Sequence, residues 1–505
     1  MAETVPTRED GLFIGLDVGT QGVKLVAYDP QARAVVATTA AALELTSRDD
    51  GTREQEARWW IDAIQSCFAA LEPGQRLRVR AIAVSGQQHG FVALSADGDV
   101  TAPVKLWCDT STHAESEAIM QAVGGVAGSV ELAGNPILTG YTASKLPWTR
   151  VHRPDAYAAM ASILLPHDYV NFWLTGERFM EAGDASGTGW LDVRSRSWSE
   201  PMLRAIDDRR DLRDALPPLV EAGTTFALLP AVAGLLQLPA GVLVTTGGGD
   251  NMMAAIGTGN VVPGRLTMSL GTSGTLFAFA DHPVVDAQAR WAAFCSSSGG
   301  WLPLICTMNC TVATETTARL FQLDRSGAEA AIASTAPGAD GLVMLPFFNG
   351  ERTPDLPGAR ASLFGMNLHN ATAAHHYRAA MEGATYSLRN GYDAFVDAGL
   401  SFDTVLLTGG GSKSAQWRQL VADVFDLPVV VPSQPEGAAF GAALQALWAH
   451  QRATGAADTL ADVVLAHLQV DEALSTRPNP EHVAAYAAGY QRFQTYLQAI
   501  TPLYA

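Results

Sequence analysis

The 505-residue sequence has little cysteine, comparatively few basic residues and no long uninterrupted apolar run. Five cysteines without a C-x-x-C pair exclude a disulfide framework and predict a reducing, cytoplasmic setting. Only 33 Lys and Arg residues oppose 51 Asp and Glu residues, so the net charge of −18 disfavours a nucleic-acid-binding or lipid-binding protein. No run reaches the about 18 apolar residues of a membrane span. Residues 1–10 carry acids where a signal peptide needs basic residues.

What is present describes a large globular chain. Hydrophobic residues make up 48% of the sequence and charged residues 17%, which predicts sizeable buried cores rather than disorder. Because α/β domains often reach about 250 residues, two large lobes are the simplest division of this length. Buried-type strands that run into glycine breaks, with helical spacing of apolar residues at 54–71, 373–398 and 482–500, favour the α/β class.

Two glycine turns about half a chain apart share one pattern. In each, an apolar strand enters a Gly-Thr turn and strand-forming residues resume after it, which predicts two β-hairpins. Laying the second turn on the first pairs Gly271 with Gly19 and Thr272 with Thr20. This repetition predicts two related lobes that face each other across a cleft, each contributing one hairpin.

The composition of these turns suits phosphate groups. Glycine lets the backbone approach a ligand closely, and turn N–H groups beside hydroxyl side chains form a concave site for phosphate oxygens. Ordinary hairpin chemistry is the alternative, and the correspondence between the two turns weakens it. The first turn carries Asp17 where the second has Ser269, and a carboxylate beside phosphates implies Mg²⁺ between them.

Polar residues follow two further predicted strands. Gln88 and His89 come after the apolar run at 81–84 and can both donate and accept hydrogen bonds, which suits a hydroxyl-rich ligand. Trp107 offers a flat apolar face for a carbohydrate. Asp250, at the start of a helical run after three glycines, can accept the proton of an attacking hydroxyl. The alternatives are a structural role for His89, a core position for Trp107 and a helix cap at Asp250.

A third glycine segment, at 409–411, lies between a predicted strand and a predicted helix. Backbone that permits close approach, followed by a helix start, suits a flat base, so this segment is a candidate adenine platform. It is not a phosphate loop of the G-x-x-x-x-G-K-[ST] type, because Lys413 lacks the required preceding spacing.

Together these segments resemble the FGGY family of carbohydrate kinases, from Asp17 to about His450. The ordered set of motifs, rather than any single one, makes the resemblance specific. It implies an α/β, two-lobed actin-like (ribonuclease H-like) ATPase fold with a central cleft. It also implies a sugar-binding N-terminal lobe over 1–256 and a nucleotide-binding C-terminal lobe over 257–505. The segments that carry the resemblance are 17–21 with Lys24, 85–90, 248–251, 271–273, 350–354, 409–412 and 436–443.

The resemblance implies transfer of the γ-phosphate of ATP, with Mg²⁺, to a hydroxyl of a small-molecule sugar. Asp250 would be the general base and Asp17 the magnesium residue. The implied nucleotide-binding residues are Thr20, Gln21, Lys24, Gly271, Thr272, Ser273, Gly410, Gly411 and Ser414. The segment at 87–90 is most similar to that of family members that convert D-xylulose to D-xylulose 5-phosphate. The implied sugar-binding residues are therefore Gln88, His89, Trp107, Asp250 and Asn251.

Several alternatives stay open. Ser111 stands where many members of the family carry an arginine, which makes glycerol and ribulose kinases poorer matches. Ribulose, gluconate, glycerol or another polyol remains an alternative substrate, because one hydroxyl or methylene changes selectivity by only about 1–3 kcal/mol. A non-catalytic actin-like nucleotide-binding protein is the alternative from another class. No nucleic-acid or membrane partner is expected, and a homodimer stays open.

Overall fold

The structure, a computed structural model, describes residues 11–504 and has an α/β fold organised around two large sheets. The signal-peptide argument from residues 1–10 and the outermost ends of the two predicted lobes lie outside the described residues. The strands are β1 (Leu12–Val18), β2 (Gly22–Asp29), β3 (Ala34–Ala42), β4 (Thr46–Ser47), β5 (Arg53–Gln55), β6 (Val79–Gly86), β7 (Val92–Leu94), β8 (Val104–Lys105), β9 (Ser162–Leu164), β10 (Met180–Glu181), β11 (Leu191–Asp192), β12 (Ser197–Trp198), β13 (Leu219–Val220), β14 (Thr225–Ala227), β15 (Leu243–Thr245), β16 (Gly248–Gly249), β17 (Gly264–Leu270), β18 (Gly274–Ala278), β19 (Ala292–Cys295), β20 (Trp301–Thr307), β21 (Val343–Leu345), β22 (Ser362–Phe364), β23 (Phe402–Thr408) and β24 (Val429–Val430).

Helices connect and cover these strands. They are α1 (Ala57–Ala69), α2 (Pro73–Arg76), α3 (His113–Ala122), α4 (Gly125–Ala133), α5 (Thr142–His152), α6 (Pro154–Ala159), α7 (Pro166–Thr175), α8 (Ala182–Ala185), α9 (Glu200–Ile206), α10 (Pro230–Leu236), α11 (Asp250–Thr258), α12 (Thr311–Leu320), α13 (Arg325–Ala333), α14 (Ala373–Asp397), α15 (Ala415–Phe425), α16 (Gly437–Ala453), α17 (Leu460–His467) and α18 (Pro480–Ile500). Short 3₁₀ turns lie at Leu212–Ala215, Ala339–Gly341, Gly410–Lys413, Glu472–Leu474 and Thr501–Leu503.

The first sheet has seven strands in the order β14-β15-β6-β1-β2-β3, with β16 also paired to β6. β1 and β2 are antiparallel and joined by the first glycine turn, so the first predicted hairpin is confirmed. β1, β15 and β16 all run parallel to β6. Their carboxyl ends therefore meet at one edge, which is where α/β sheets place their ligands.

The second sheet has six strands in the order β19-β20-β18-β17-β23-β24. β17 and β18 form the second predicted hairpin, with Leu270 opposite Gly274. β23 runs parallel to β17, and Ser269 lies opposite Thr408. The second glycine turn and the glycine segment at 409–411 therefore leave the same edge of this sheet.

The three predicted amphipathic helices are present, and two of them begin at a different residue, α1 at Ala57 and α18 at Pro480. The spacing at 54–71 becomes α1, which begins only at Ala57 because 53–55 form β5 and pair with β4 and β8. The segments at 373–398 and 482–500 become α14 and α18. Within residues 11–504, no helix combines the length and the apolarity that a membrane span requires. All five cysteines are free thiols.

Helix α16 comes from the C-terminal half of the chain but packs against the first sheet and α11. Glycine makes this close approach possible. A Cβ atom at Gly15 of β1 would lie 1.8 Å from the Ala439 carbonyl oxygen, and one at Gly441 would lie 1.9 Å from the Met253 carbonyl oxygen. Apolar residues of β1, β2, β6, α11 and α16 share one buried cluster. The two halves of the chain are therefore joined through a common core.

The α11–α16 contact predicts an unequal response to adding a methyl group. Gly441→Ala places its Cβ against backbone, so the helices must separate, and we expect a loss of about 1–3 kcal/mol or more in the free energy of unfolding. Gly234→Ala in α10 is the matched control, because nothing lies within 4 Å of its Cβ position. Alanine there is expected to be neutral or to stabilise by up to about 1 kcal/mol. Urea unfolding of both variants measures the difference, and equal stabilities would contradict the contact.

Candidate active site

Three strands of the first sheet bring the predicted catalytic residues to one edge. Asp17 of β1 lies opposite Ser85 of β6, and Gly249, which precedes Asp250, pairs with the last residue of β6. Gln87 and Gln88 follow β6 directly. Residues 17, 85–88 and 249–250 are therefore neighbours in space although the chain separates them widely.

Asp250 is the first residue of α11 and Gly249 holds the cap position, yet Asp250 accepts a hydrogen bond from a first-turn backbone N–H, as the helix-cap alternative predicts. Its Oδ1 atom accepts hydrogen bonds from the Asn251 backbone nitrogen at 2.8 Å and from Asn251 Nδ2 at 3.1 Å. No donor among residues 11–504 hydrogen-bonds its Oδ2 atom. Burial raises the pKa of Asp250 to about 7, and the charges of Asp17 and Asp184 act in the same direction. One oxygen is thus held by the protein while the other is available to exchange a proton.

Asp17 lies in a mixed electrostatic environment. The Ser85 hydroxyl donates to its Oδ1 atom at 2.8 Å. Burial raises the pKa of Asp17, the Ser85 hydrogen bond and the charge of Lys24 oppose that rise, and Glu436 adds to it. Lys24 and Glu436 form an ion pair of 2.6 Å. Glu436 immediately precedes α16, so the C-terminal half contributes an acid close to Asp17. The sequence indicated this residue only as part of the segment 436–443.

The side chain of Thr20 connects the first turn to the adjacent loop. Its hydroxyl donates to Gln87 Oε1 at 3.0 Å and accepts from Trp107 Nε1 at 3.0 Å. Trp107 is 48% exposed, so the core alternative for this residue is wrong. Gln21 is exposed at the tip of the same turn. An aromatic face therefore lies next to the first glycine turn.

Gln88 joins the end of β6 to α11. Its side chain is buried, and its Oε1 atom accepts a hydrogen bond from Asn251 Nδ2 at 2.9 Å. The same Nδ2 atom also donates to Asp250. Three of the predicted sugar-binding residues thus form one hydrogen-bonded row.

His89 adopts a left-handed backbone conformation, with φ of 64°. Its ring stacks on Tyr141 with 4.5 Å between ring centroids, and its Nδ1 atom lies 2.6 Å from the Gly187 carbonyl oxygen. Because a carbonyl only accepts, Nδ1 carries the proton and Nε2 of the neutral ring is an acceptor. Burial lowers the pKa of His89 to about 3, and the charge of Lys145 acts in the same direction.

The glycine segments of the second sheet also lie together. A Cβ atom at Gly409 or at Gly411 would lie 2.7 Å from atoms of Leu270, which directly precedes the second turn. Gly410 is exposed, with nothing within 4 Å of its Cβ position. The structure therefore brings the candidate adenine segment next to the candidate phosphate turn.

The second turn is closed by a hydrogen bond from the Gly271 nitrogen to the Ser273 carbonyl oxygen at 3.2 Å. Thr272 is exposed at its tip. Ser414, predicted to bind nucleotide, caps α15 by accepting from the Trp417 nitrogen at 3.2 Å. Its hydroxyl oxygen already accepts the helix-cap hydrogen bond, so Ser414 is a weaker candidate for nucleotide binding.

Sequence analysis missed one residue that supports the site from α5. Lys145 is fully buried, and its Nζ atom donates to the carbonyl oxygens of His89 at 2.5 Å and Gly140 at 2.6 Å. Burial lowers the pKa of Lys145 to about 7. No motif surrounds it in the sequence, and its role is visible only once α5 is packed against the end of β6.

Comparison with known proteins identifies the class of this arrangement. The crystal structure of a xyloylose kinase from Brucella ovis superposes with a TM-score of 0.90 at 31% identity, covering 97% of this chain and 100% of that one. Xylulose kinases from Haemophilus influenzae and Streptomyces coelicolor are 41% and 36% identical. Those alignments cover 97% and 93% of this chain, and 100% and 95% of the relatives. The fold is the two-domain actin-like fold of sugar kinases, as predicted.

The family assignment follows from the domain matches. Residues 12–257 match the N-terminal domain of the FGGY family of carbohydrate kinases, and residues 266–450 match its C-terminal domain. The chain therefore belongs to the FGGY family of carbohydrate kinases. It is an enzyme of that family and acts on a small-molecule sugar.

The environment of His89 predicts a neutral ring protonated on Nδ1. In ¹⁵N-histidine-labelled protein, we expect the His89 signals to keep this tautomer from pH 8 down to pH 5, because burial holds its pKa far below 6.5. The His89→Gln spectrum assigns the signals. A His89 midpoint near 6.5, or a proton on Nε2, would contradict the assignment.

Proposed function

We propose that the enzyme transfers the γ-phosphate of ATP to D-xylulose and forms D-xylulose 5-phosphate, with Asp250 as the general base. The observation that carries this proposal is Asp250 itself. Asn251 donates hydrogen bonds to its Oδ1 atom, and no donor among residues 11–504 hydrogen-bonds its Oδ2 atom. Burial at the sheet edge raises its pKa to about 7. D-Xylulose is the proposed sugar because the relatives that are 41% and 36% identical to this chain are xylulose kinases.

The sugar is proposed to bind in the lobe formed by residues 1–256. Gln88 provides a buried polar group, His89, Asn251 and Asp250 provide half-buried ones, and Trp107 provides an exposed aromatic face. The Nε2 atom of neutral His89 accepts from a sugar hydroxyl. Groups of this kind recognise hydroxyls strongly, because a ligand without the hydroxyl leaves a buried polar atom unpaired.

The nucleotide is proposed to bind mainly through residues 257–505, facing the first turn. The turn at 271–273 and the first turn, with Thr20, Gln21 and Lys24, supply backbone N–H groups and side chains for the phosphates. Gly411 packs against Leu270, and Gly410 has open space at its Cβ position, which is where the adenosine is proposed to lie. Five free cysteines suit the cytoplasm, where ATP is available.

The proton and phosphoryl transfers follow from this placement. The O5 hydroxyl of the sugar loses its proton to Asp250 Oδ2 while its oxygen attacks the γ-phosphorus. The bond from that phosphorus to the β,γ-bridging oxygen breaks, and ADP leaves. Positioning and charge stabilisation provide most of the rate in this kind of transfer. A base whose pKa lies near 7 is suited to working at neutral pH.

Mg²⁺ is proposed to bind beside Asp17. The donor set fits this ion, because Mg²⁺ uses one or two carboxylates plus phosphate oxygens and retains several waters. Residues 11–504 contain no group of three or more His, Cys, Asp or Glu side chains able to form a closed metal site. When bound, the ion neutralises the charge of the phosphates. Ser85 holds one Asp17 oxygen and so orients the carboxylate.

A substitution of Asp250 tests the role of the proposed base. Asp250→Asn keeps the acceptor for the Asn251 nitrogen but cannot take a proton, so kcat with D-xylulose is expected to fall at least about a hundredfold. Nucleotide affinity, measured by calorimetry with MgADP, is expected to remain within about twofold. A near wild-type kcat in this variant would contradict the role of Asp250.

The alternative functions are separated by a coupled ADP-release assay. D-Ribulose, gluconate and glycerol serve as competing acceptors, and D-xylulose is expected to give a kcat/KM higher by at least about tenfold. A higher value for another acceptor would replace the substrate but not the chemistry. ATP turnover indifferent to every acceptor would favour the non-catalytic actin-like alternative.

A substitution of Asp17 tests the proposed metal site. Asp17→Asn removes the proposed carboxylate, so the Mg²⁺ concentration for half-maximal rate is expected to rise at least about tenfold at fixed ATP. Asp62→Asn, an exposed acid on α1, is the control and should leave the Mg²⁺ requirement unchanged. An unchanged requirement in Asp17→Asn would remove this residue from the metal site.

A further inference from the structure

A buried group of ionisable side chains adjoins the proposed sugar site, and the reaction described above does not use it. It consists of His167, Asp168, Glu181 and Asp184, each at most 1% exposed. His167 Nδ1 lies 2.7 Å from Asp184 Oδ2, and His167 Nε2 lies 3.0 Å from Asp168 Oδ1. Removing such charges from water costs free energy that pairing only partly offsets, so their presence needs a reason other than stability.

Asp184 is fixed in place from two sides. Glu181 accepts from the Asp184 backbone nitrogen at 2.6 Å and from the Ser297 hydroxyl at 3.0 Å, which anchors the start of α8. Burial opposes the charge on His167, but Asp168 and Asp184 outweigh it and raise its pKa well above the usual value. A protonated His167 donates from Nδ1 to one oxygen of Asp184.

The other oxygen of Asp184 faces the row of residues that holds Asp250. A Cβ atom at Gly249 would lie 2.8 Å from Asp184 Oδ1 and 2.9 Å from Gln88 Cγ. Asp184 Oδ1 and Gln88 Nε2 are both buried without a hydrogen-bond partner of standard geometry, and the two side chains interact. A buried acceptor and a buried donor are therefore neighbours.

The chemistry of these groups sets the direction of each hydrogen bond. A carboxylate only accepts, so the amide of Gln88 must turn its NH₂ toward Asp184 and its oxygen toward Asn251. Asn251 then turns its own NH₂ toward Gln88 and Asp250, as observed at 2.9 and 3.1 Å. Both amide orientations, and the side-chain hydrogen bond from Asn251 to Asp250 Oδ1, follow from one charge, and the Asn251 backbone nitrogen adds a second hydrogen bond to that oxygen.

We propose that Asp184, anchored by His167, is a positioning residue that orients Gln88 and, through Asn251, the carboxylate of Asp250. The proposal rests on the function proposed above, because it assigns Asp184 a task only if Asp250 takes a proton. Neither Asp184 nor His167 touches the sugar. They act by fixing which oxygen of Asp250 is left free.

Asp184→Asn tests the proposal by reversing the direction of the hydrogen bonds from residue 184 through Gln88 to Asn251. Charged His167 draws the oxygen of the new amide, so its NH₂ faces Gln88 and forces that amide to turn over. Asn251 then meets a donor instead of an acceptor, turns its amide over and withdraws its side-chain hydrogen bond from Asp250, which keeps only the backbone one. We expect kcat with D-xylulose to fall at least about tenfold while the KM for ATP stays within about twofold.

Glu382→Gln is the matched control. It neutralises another buried acid, which pairs with Arg378 in the C-terminal half and does not contact Gln88. Its kcat is expected to remain within about twofold of wild type even where its unfolding temperature falls as much as that of Asp184→Asn. An equal loss of kcat in both variants would show that packing alone matters and would overturn the proposal.

A double-mutant cycle with Gln88→Leu separates orientation from general damage. Gln88→Leu lowers activity by itself because it removes both ends of the amide. Once the amide is absent, Asp184→Asn is expected to cost less than about threefold further, because the two residues act in series. A full tenfold loss in that background would contradict the proposal. His167→Gln leaves Asp184 unanchored and repeats the cycle if Asp184→Asn does not fold.

The proposed function and this inference fail differently. If wild-type enzyme phosphorylates no sugar, or if Asp250→Asn remains active, the proposed function fails. If Asp250→Asn is inactive while Asp184→Asn turns over at the wild-type rate, only the positioning role of Asp184 is lost.

Discussion

Two carboxylates, Asp17 and Asp250, share the edge of the first sheet where its parallel strands end, and their mutual repulsion is the constraint on which the site depends. Burial and this repulsion together raise the pKa of Asp250 to about 7. Neutral donors hydrogen-bond both carboxylates, Ser85 on one and Asn251 on the other, and the charge of Lys24 also acts on Asp17. A cation on the Asp17 side would separate the two roles, leaving one carboxylate for the metal and the other for a proton.

The same edge is coupled to the rest of the molecule through α16. This helix belongs to the C-terminal half but packs on β1 through glycine contacts that leave no room for a side chain at Gly15. Glu436, immediately before the helix, pairs with Lys24 at 2.6 Å and acts on the charge of Asp17. A shift of α16 against the first sheet must therefore change the electrostatics of the first turn. Movement of the C-terminal half would in this way change the charge of Asp17.

The sequence predicted what local patterns determine. Both glycine hairpins, the helices α14 and α18 and the polar residues Gln88 and His89 beyond a buried strand follow from alternation, helical spacing and the rule for strand ends. The start of α1 was misplaced because β5 forms only through pairing with distant strands. Asp184 and Lys145 could not be found, because nothing in their local sequence marks them. Their contacts form only when segments that are separated in the sequence pack together. The exposure of Trp107 was ambiguous for the same reason.

The most direct measurement is a crystal structure of the enzyme with Mg²⁺, a non-hydrolysable ATP analogue and D-xylulose. The account predicts that the phosphates contact the turns at 19–22 and 271–273, with the metal beside Asp17. It further predicts that Asp250 Oδ2 lies within hydrogen-bond distance of the sugar hydroxyl facing the γ-phosphorus. A triphosphate bound away from both turns, or a sugar out of reach of Asp250, would contradict the account.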